Sequence, residues 1–163
     1  SRFGDGVRVI RAMPNTPALI GKGAAAIAAG TIAESGDLNW ASSILEAVGT
    51  VVVVDEVLID SVTGLSGSGP AYLFLLAESL INAGCEAGLP LDISTELTEQ
   101  TLLGAATLLA SSNDLPSTLR EKVTSKGGTT AAGLAVFEAR GFNEIVRDVV
   151  IAATQRSREL GSE

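Results

Sequence analysis

Histidine is absent from all 163 residues. That absence removes Ser-His-Asp and Cys-His catalysis and imidazole-based zinc or iron centres, and no metal site is expected. Acid–base chemistry falls to carboxylates, lysines, Tyr72, hydroxyls or water. Hydride transfer from a cofactor survives this filter, because the cofactor carries the difficult chemistry. Cysteine is nearly absent too. Cys85 has no partner for an internal disulfide and sits in an apolar helical run, which predicts a buried thiol in a reducing, cytoplasmic setting. Long apolar runs are missing: Pro70 to Ala77 is followed by Glu78, too short to span a bilayer. Ser1-Arg2-Phe3-Gly4-Asp5-Gly6 has neither the basic start nor the apolar stretch of a signal peptide. Positive charge is scarce, with 11 Lys and Arg against 19 Asp and Glu. The net charge of −8 argues against nucleic acid or an anionic membrane as a main partner.

What remains is 46% hydrophobic, enough for a real core in one ordinary domain or two small ones. The pattern changes near residue 56. Before it, Val7–Ile10 reads as a strand. Ala24–Ala29 is a second candidate, ambiguous because alanine favours helix. The β-branched run Val51–Val54 predicts a buried strand. Asp37–Val48 carries Leu38, Ala41, Ile44, Leu45 and Val48 at helical spacing, with Gly49 as the stop. After residue 56 the pattern is helical: Val57–Thr63, Ala71–Ala87 opened by Gly69-Pro70, a run capped by Asp92 or Ser94 and ending near Leu109, a short helix with Leu119 and Val123, then Thr130–Ala139 and Asn143–Leu160. The fold class is therefore mainly α with a small α/β amino-terminal part. Two or three strands and one helix cannot cover both faces of a parallel sheet, so residues 1–56 either pack on another subunit or form the tail of a larger α/β domain. Leu73, Phe74, Leu76, Ala77, Leu80, Ile81 and Ala83 cover much of their helix, which predicts burial in an oligomer interface.

Four segments carry candidate chemistry. In Val123-Thr124-Ser125-Lys126-Gly127-Gly128-Thr129-Thr130, two glycines lie between hydroxyl residues ahead of a helix. Such a turn delivers free N–H groups to an anion, and it equally suits an ordinary helix cap. Gly21-Lys22-Gly23-Ala24-Ala25-Ala26 formally fits a dinucleotide fingerprint, but Pro14 and Pro17 interrupt the strand it would need before it. Arg11 to Pro17, rigid and polar after a strand, is either a ligand-facing loop or a structural turn. Gly67-Ser68-Gly69-Pro70-Ala71-Tyr72 reads as a domain-linking turn into a helix. Glu56 lies just past the valine strand, at the junction of the two halves.

Together these segments resemble the pyrroline-5-carboxylate reductase family. The matching residues are Met13-Pro14-Asn15-Thr16-Pro17, Leu58-Ile59-Asp60, Thr63 through Tyr72, and a gapped signature of Pro116, Leu119, Val123-Thr124-Ser125, Gly127-Gly128, Thr130, Gly133-Leu134 and Phe137-Glu138. Arg156-Ser157-Arg158-Glu159-Leu160 fits as well. The resemblance implies the tail of a Rossmann-type sheet over residues 1–56, followed by an all-α helical dimerisation and substrate-binding domain over 57–163. The family's Gly-rich phosphate turn belongs to a preceding half that this chain does not contain, so the chain alone is expected to be inactive. The implied reaction transfers hydride from NADPH or NADH to the C=N bond of 1-pyrroline-5-carboxylate, giving L-proline, in proline biosynthesis. By the same resemblance, the N–H groups of Gly128, Thr129 and Thr130 with the Ser125 hydroxyl hold the substrate carboxylate. The Thr130 hydroxyl bonds the ring nitrogen, Glu56 favours the iminium form, and Met13, Pro14 and Asn15 face the nicotinamide. A homodimer is implied, with a larger ring of dimers left open. Lys122 and Lys126 depart from the family pattern, which has an amide and a proline there. Two other readings stay open: a non-catalytic oligomerisation module, and a related imine or β-hydroxyacid reductase.

Overall fold

A computed structural model describes residues 6–162, so the reading of Ser1 to Asp5 lies outside the described residues. The chain is mainly helical with one small sheet near its amino-terminal end, as expected. It divides into two compact units, residues 1–72 with 146–163, and residues 73–145.

The first unit is built on strands β1 (Ile10–Met13), β2 (Gly23–Ala29) and β3 (Gly49–Val53), in the order β1-β2-β3. β1 runs antiparallel to β2, with Ile10 opposite Ala29 and Met13 opposite Ala26. β2 runs parallel to β3, with Gly23 opposite Gly49. Placed between two partners, the alanine run becomes a strand, because ladder bonds on both sides outweigh its helix preference. Ala26, Ile27 and Ala28 are consecutive and all buried, so both faces of β2 are covered. The first strand begins three residues later than its alternation suggests. Its length is set by the partner register and ends at Pro14, which has no N–H for a ladder.

β3 forms as expected but is not buried: Val52 and Val53 are 51% and 57% exposed. It pairs only with β2, so it is an edge strand among the described residues. A β-branched run marks extended backbone; it does not say what lies on the far side.

Helix α1 (Ser35–Glu46) starts two residues early because the Asp37 carboxylate accepts the Glu34 N–H at 2.9 Å. A 3-10 turn (Glu56–Leu58) leads into α2 (Ile59–Val62) and then a π-turn (Thr63–Gly67). Ile59 is fully buried against Ala26 and Ala28, with Met13, Val54 and Val62 around them. Ser157 of α7 (Phe142–Ser162) donates to the Asp60 carboxylate at 2.6 Å, tying the end of that helix to α2.

The second unit contains most of α3 (Gly69–Glu86), then α4 (Leu91–Ser111), α5 (Pro116–Lys122), α6 (Thr129–Ala139) and the start of α7. Pro90, rather than Asp92 or Ser94, occupies the N-cap of α4. Ser94 is instead buried, and its hydroxyl donates to the Ile81 carbonyl of α3 at 2.8 Å. Cys85 is half-buried, not buried, since the surrounding apolar surface of α3 stays largely uncovered. Among the described residues no helix is long and apolar enough to cross a membrane.

Candidate functional site

The Gly-Gly turn ends at the first residue of α6. Gly127 has φ +72°, a left-handed conformation open to glycine at little cost. Gly128 is the N-cap, in extended conformation, and no side chain caps the helix. Its own N–H is taken: it donates to the Ser125 carbonyl at 3.0 Å. The expectation that Gly128 offers a free N–H is therefore corrected. The turn must close on itself before the helix can begin. No acceptor among the described residues takes the N–H of Thr129 or Thr130, so these two donors face solvent at the positive end of the helix dipole. Gly128 has a second function. A Cβ built there would lie 2.3 Å from Ser125 Oγ, so only glycine lets that hydroxyl rest over the turn. Ser125, Thr129 and Thr130 are all exposed, so the turn offers the Ser125 hydroxyl, two N–H groups and the Thr130 hydroxyl within six residues of chain. That donor set suits a carboxylate.

Lys122 does not point freely to solvent. Its ammonium pairs with Asp114 at 2.5 Å, bracing the break before α5, while Lys126 is exposed beside the glycines. The hydrogen bond from Lys122 holds the Asp114 carboxyl below the usual aspartate value.

The other candidates lie in the first unit. Met13 is half-buried, its side chain turned to the Ala26–Ile59 core. Pro14 is exposed. Asn15 is half-buried and engaged at both ends: its Oδ1 accepts the Ala24 N–H at 2.9 Å and its Nδ2 donates to the Ser66 carbonyl at 3.0 Å. Because β1 is antiparallel, this loop stands at the carboxyl end of its own strand but the amino ends of β2 and β3.

Glu56 stands at the opposite end of the sheet. It lines a cavity of about 410 Å³ with Ala29, Leu38, Val53, Val54, Asp55 and Leu58, where β2 and β3 finish. Its carboxylate accepts from Arg11 Nη1 at 2.5 Å. The structure thus brings Ser125, Thr129 and Thr130 together, and Met13, Pro14 and Asn15 together, but not Glu56 with the latter group. Arg11 is a partner that sequence reasoning missed. Its position opposite Ala28 on β1 is the only signal, and it depends on a register the sequence does not print.

The Gly21–Ala26 fingerprint match is structural. Gly21 ends a 3-10 turn (Thr16–Ile20), and a strand rather than a helix follows, so no helix N-terminus faces that turn.

Comparison with known proteins places this geometry. The family model for pyrroline-5-carboxylate reductase dimerisation matches residues 56–160. A pyrroline-5-carboxylate reductase of Synechocystis is 51% identical over 153 residues, 94% of this chain and 57% of that protein. One of Arabidopsis thaliana is 46% identical over 153 residues, covering 94% and 55%. The solved reductase of Coxiella burnetii superposes with a TM-score of 0.92 at 40% identity, over 96% of this chain and 58% of that one. That of Plasmodium falciparum, solved with NADP bound, gives 0.90 at 34%, over 97% and 64%. The chain spans a little over half the length of the curated relatives it matches. A family model over most of the chain, with relatives this similar across nearly all of it, shows that the chain belongs to the pyrroline-5-carboxylate reductase family.

Proposed function

We propose that this chain supplies the substrate-binding and dimer-forming part of a pyrroline-5-carboxylate reductase, acting in proline biosynthesis in the cytoplasm. The reaction reduces the C=N bond of 1-pyrroline-5-carboxylate to give L-proline. NADPH or NADH, when bound, supplies the hydride; the Plasmodium neighbour's NADP supports that choice. The sheet unit closes the nucleotide domain and takes in residues 57–72 and 146 onward besides the expected span up to 56, and the helical unit, residues 73–145, serves a homodimer. The exposed Pro14 ring has no N–H and presents an apolar face, which fits a nicotinamide ring better than a phosphate. Among the described residues, no glycine turn opening a helix lies near it for the phosphates.

The observation that carries the reading is the start of α6. Thr129 and Thr130 present unpaired N–H groups, and Ser125 rests its hydroxyl over Gly128. A substrate carboxylate accepting these donors fixes the ring, and the Thr130 hydroxyl then bonds its nitrogen. Positioning and charge complementarity do the rest, with no protein nucleophile. Arg11 already neutralises Glu56, at the end of the sheet away from Met13–Asn15.

The test is a steady-state assay with NADPH and pyrroline-5-carboxylate, using the full-length protein that carries this chain. Thr130→Ala is expected to lower kcat/KM by about 10- to 100-fold, the loss of the hydroxyl's one charge-assisted bond to the ring nitrogen, since the backbone N–H remains. Gly128→Ala pushes the Ser125 hydroxyl aside and is expected to raise KM for the carboxylate substrate about tenfold. Glu56→Gln should leave both constants within about threefold, since an exposed ion pair contributes little. Unchanged kinetics in Thr130→Ala would sink the assignment. The uncovered apolar helices favour a second reading, a non-catalytic oligomerisation module. A dimer that binds neither NADPH nor the imino acid supports that alternative, and turnover of other cyclic imines or β-hydroxyacids alone points to a related reductase.

A further inference from the structure

The π-turn Thr63–Gly67 creates a hydrogen-bonding deficit that two distant side chains repair. The Ser68 N–H bonds the Thr63 carbonyl at 2.8 Å, one residue further back than an α-helix allows. The Gly64 carbonyl, which would have received it, is left over. Two residues on, the Ser66 carbonyl would look to residue 70, but Pro70 has no N–H. Unpaired carbonyls in a half-buried helix junction are costly. The Tyr72 hydroxyl donates to Gly64 at 3.0 Å, and Asn15 Nδ2 donates to Ser66 at 3.0 Å. The other end of the Asn15 amide accepts the Ala24 N–H at 2.9 Å, so both ends of its side chain are spent within the protein. Turning the amide over would break both bonds, which fixes its orientation. The turn also meets the same loop through Gly67, where an added Cβ would lie 3.5 Å from the Met13 sulfur.

We propose that Asn15 is a positioning residue: it supplies the hydrogen bond that Pro70 denies Ser66, and so locks the Met13–Pro14 loop onto the π-turn and the start of β2. This rests on the reading of that loop as the nicotinamide-facing surface. It assigns Asn15 a task that excludes direct amide contact with the cofactor. A ring held against Pro14 is displaced by any slip of the loop, and displacements on the order of 1 Å cost about 100-fold in rate.

Two variants in the full-length protein test it. Asn15→Ala removes both bonds and is expected to lower kcat by about 10- to 100-fold while KM for the imino acid changes less than about threefold. Asn15→Asp keeps the acceptor for Ala24 but sets a carboxylate against the Ser66 carbonyl. Protonation restores a donor, so the ratio of its kcat to that of the unaltered protein is expected to rise about fivefold or more between pH 8 and pH 5. A merely structural residue would not show that recovery. Hydrogen exchange supplies the readout independent of activity: Ala24 and Ser68 amides should exchange at least about tenfold faster in Asn15→Ala. A kcat within about twofold of the unaltered protein overturns the proposal. So does a weaker cofactor Kd at unchanged kcat, which would mean direct contact, or unaltered exchange at both amides. If the unaltered protein reduces no cyclic imine, the reductase reading fails, and faster exchange in Asn15→Ala still supports the lock.

Discussion

The two units of this chain solve the problem of burial differently. The sheet unit holds all four buried apolar residues of the described chain, Ala26, Ile27, Ala28 and Ile59, in and beside one central strand. The helical unit is nearly as apolar in composition, yet its only buried residues are Ser94 and Thr98. Phe74, Leu75, Leu103 and Val136 are each 60% exposed or more. A small sheet can cover a central strand with its own neighbours. Helices apolar on most sides cannot cover one another in so few layers, so most of their apolar surface is left open within the unit. The family's dimerisation model spans the whole helical unit, and a second copy is the partner we propose for that surface.

The sharpest way to break this comparison is to put a charge in the uncovered helical surface. Phe74→Glu is expected to cost about 4–8 kcal/mol of association, because it removes an aromatic anchor and buries an unpaired carboxylate. Sedimentation at micromolar concentration should then show monomer, and helical signal should fall as the protein is diluted. A dimer of unchanged affinity would mean that this face is not where the copies meet.

The matching substitution in the sheet unit is Ile59→Ala. Ile59 is fully buried among Ala26, Ala28, Met13, Val54 and Val62. Losing its side chain is expected to cost about 2–5 kcal/mol, partly transfer and partly cavity. The loss, read from urea unfolding, should not depend on protein concentration, whereas that of Phe74→Glu should. If both vary with concentration, the sheet unit also borrows its core from a partner.

The same contrast explains what the sequence made legible. Local signals carried far: the valine and alanine runs became strands, and the Gly127-Gly128 turn opened α6 within one residue of its expected start. These depend on backbone preference and on residues within one turn. Failures came where a distant neighbour decides. Val51–Val54 looked buried, but nothing in a β-branched run reports whether another strand lies beyond it. Ser94 looked like a cap and was drawn away by a carbonyl on α3. The π-turn has no composition of its own, and its donor, Asn15, lies 51 residues from Ser66. Glu56 was placed in sequence but not in space, since its partner Arg11 is set by an antiparallel register. For the helical unit even the correct helices revealed little about burial, because helical periodicity does not report what covers an apolar face.

The smallest effect separates local bracing from assembly. Lys122 is exposed and Asp114 half-buried, and they lie on either side of the start of α5, so their pairing is local. Lys122 holds the Asp114 carboxyl below its ordinary value, chiefly through its hydrogen bond. A carboxylate with a depressed folded-state pKa contributes stability above its unfolded pKa and loses it as the pH falls through the lowered value. Lys122→Met should therefore raise the Asp114 midpoint toward the ordinary aspartate value, followed by carboxyl NMR. It should reduce stability slightly at neutral pH and not at all once the solution is acidic enough to protonate Asp114 in both proteins. The dimer's dissociation constant should stay where it was. Should it shift instead, the turn that carries Ser125 and Thr130 is coupled to the interface, and the helical unit would lack even this locally secured element.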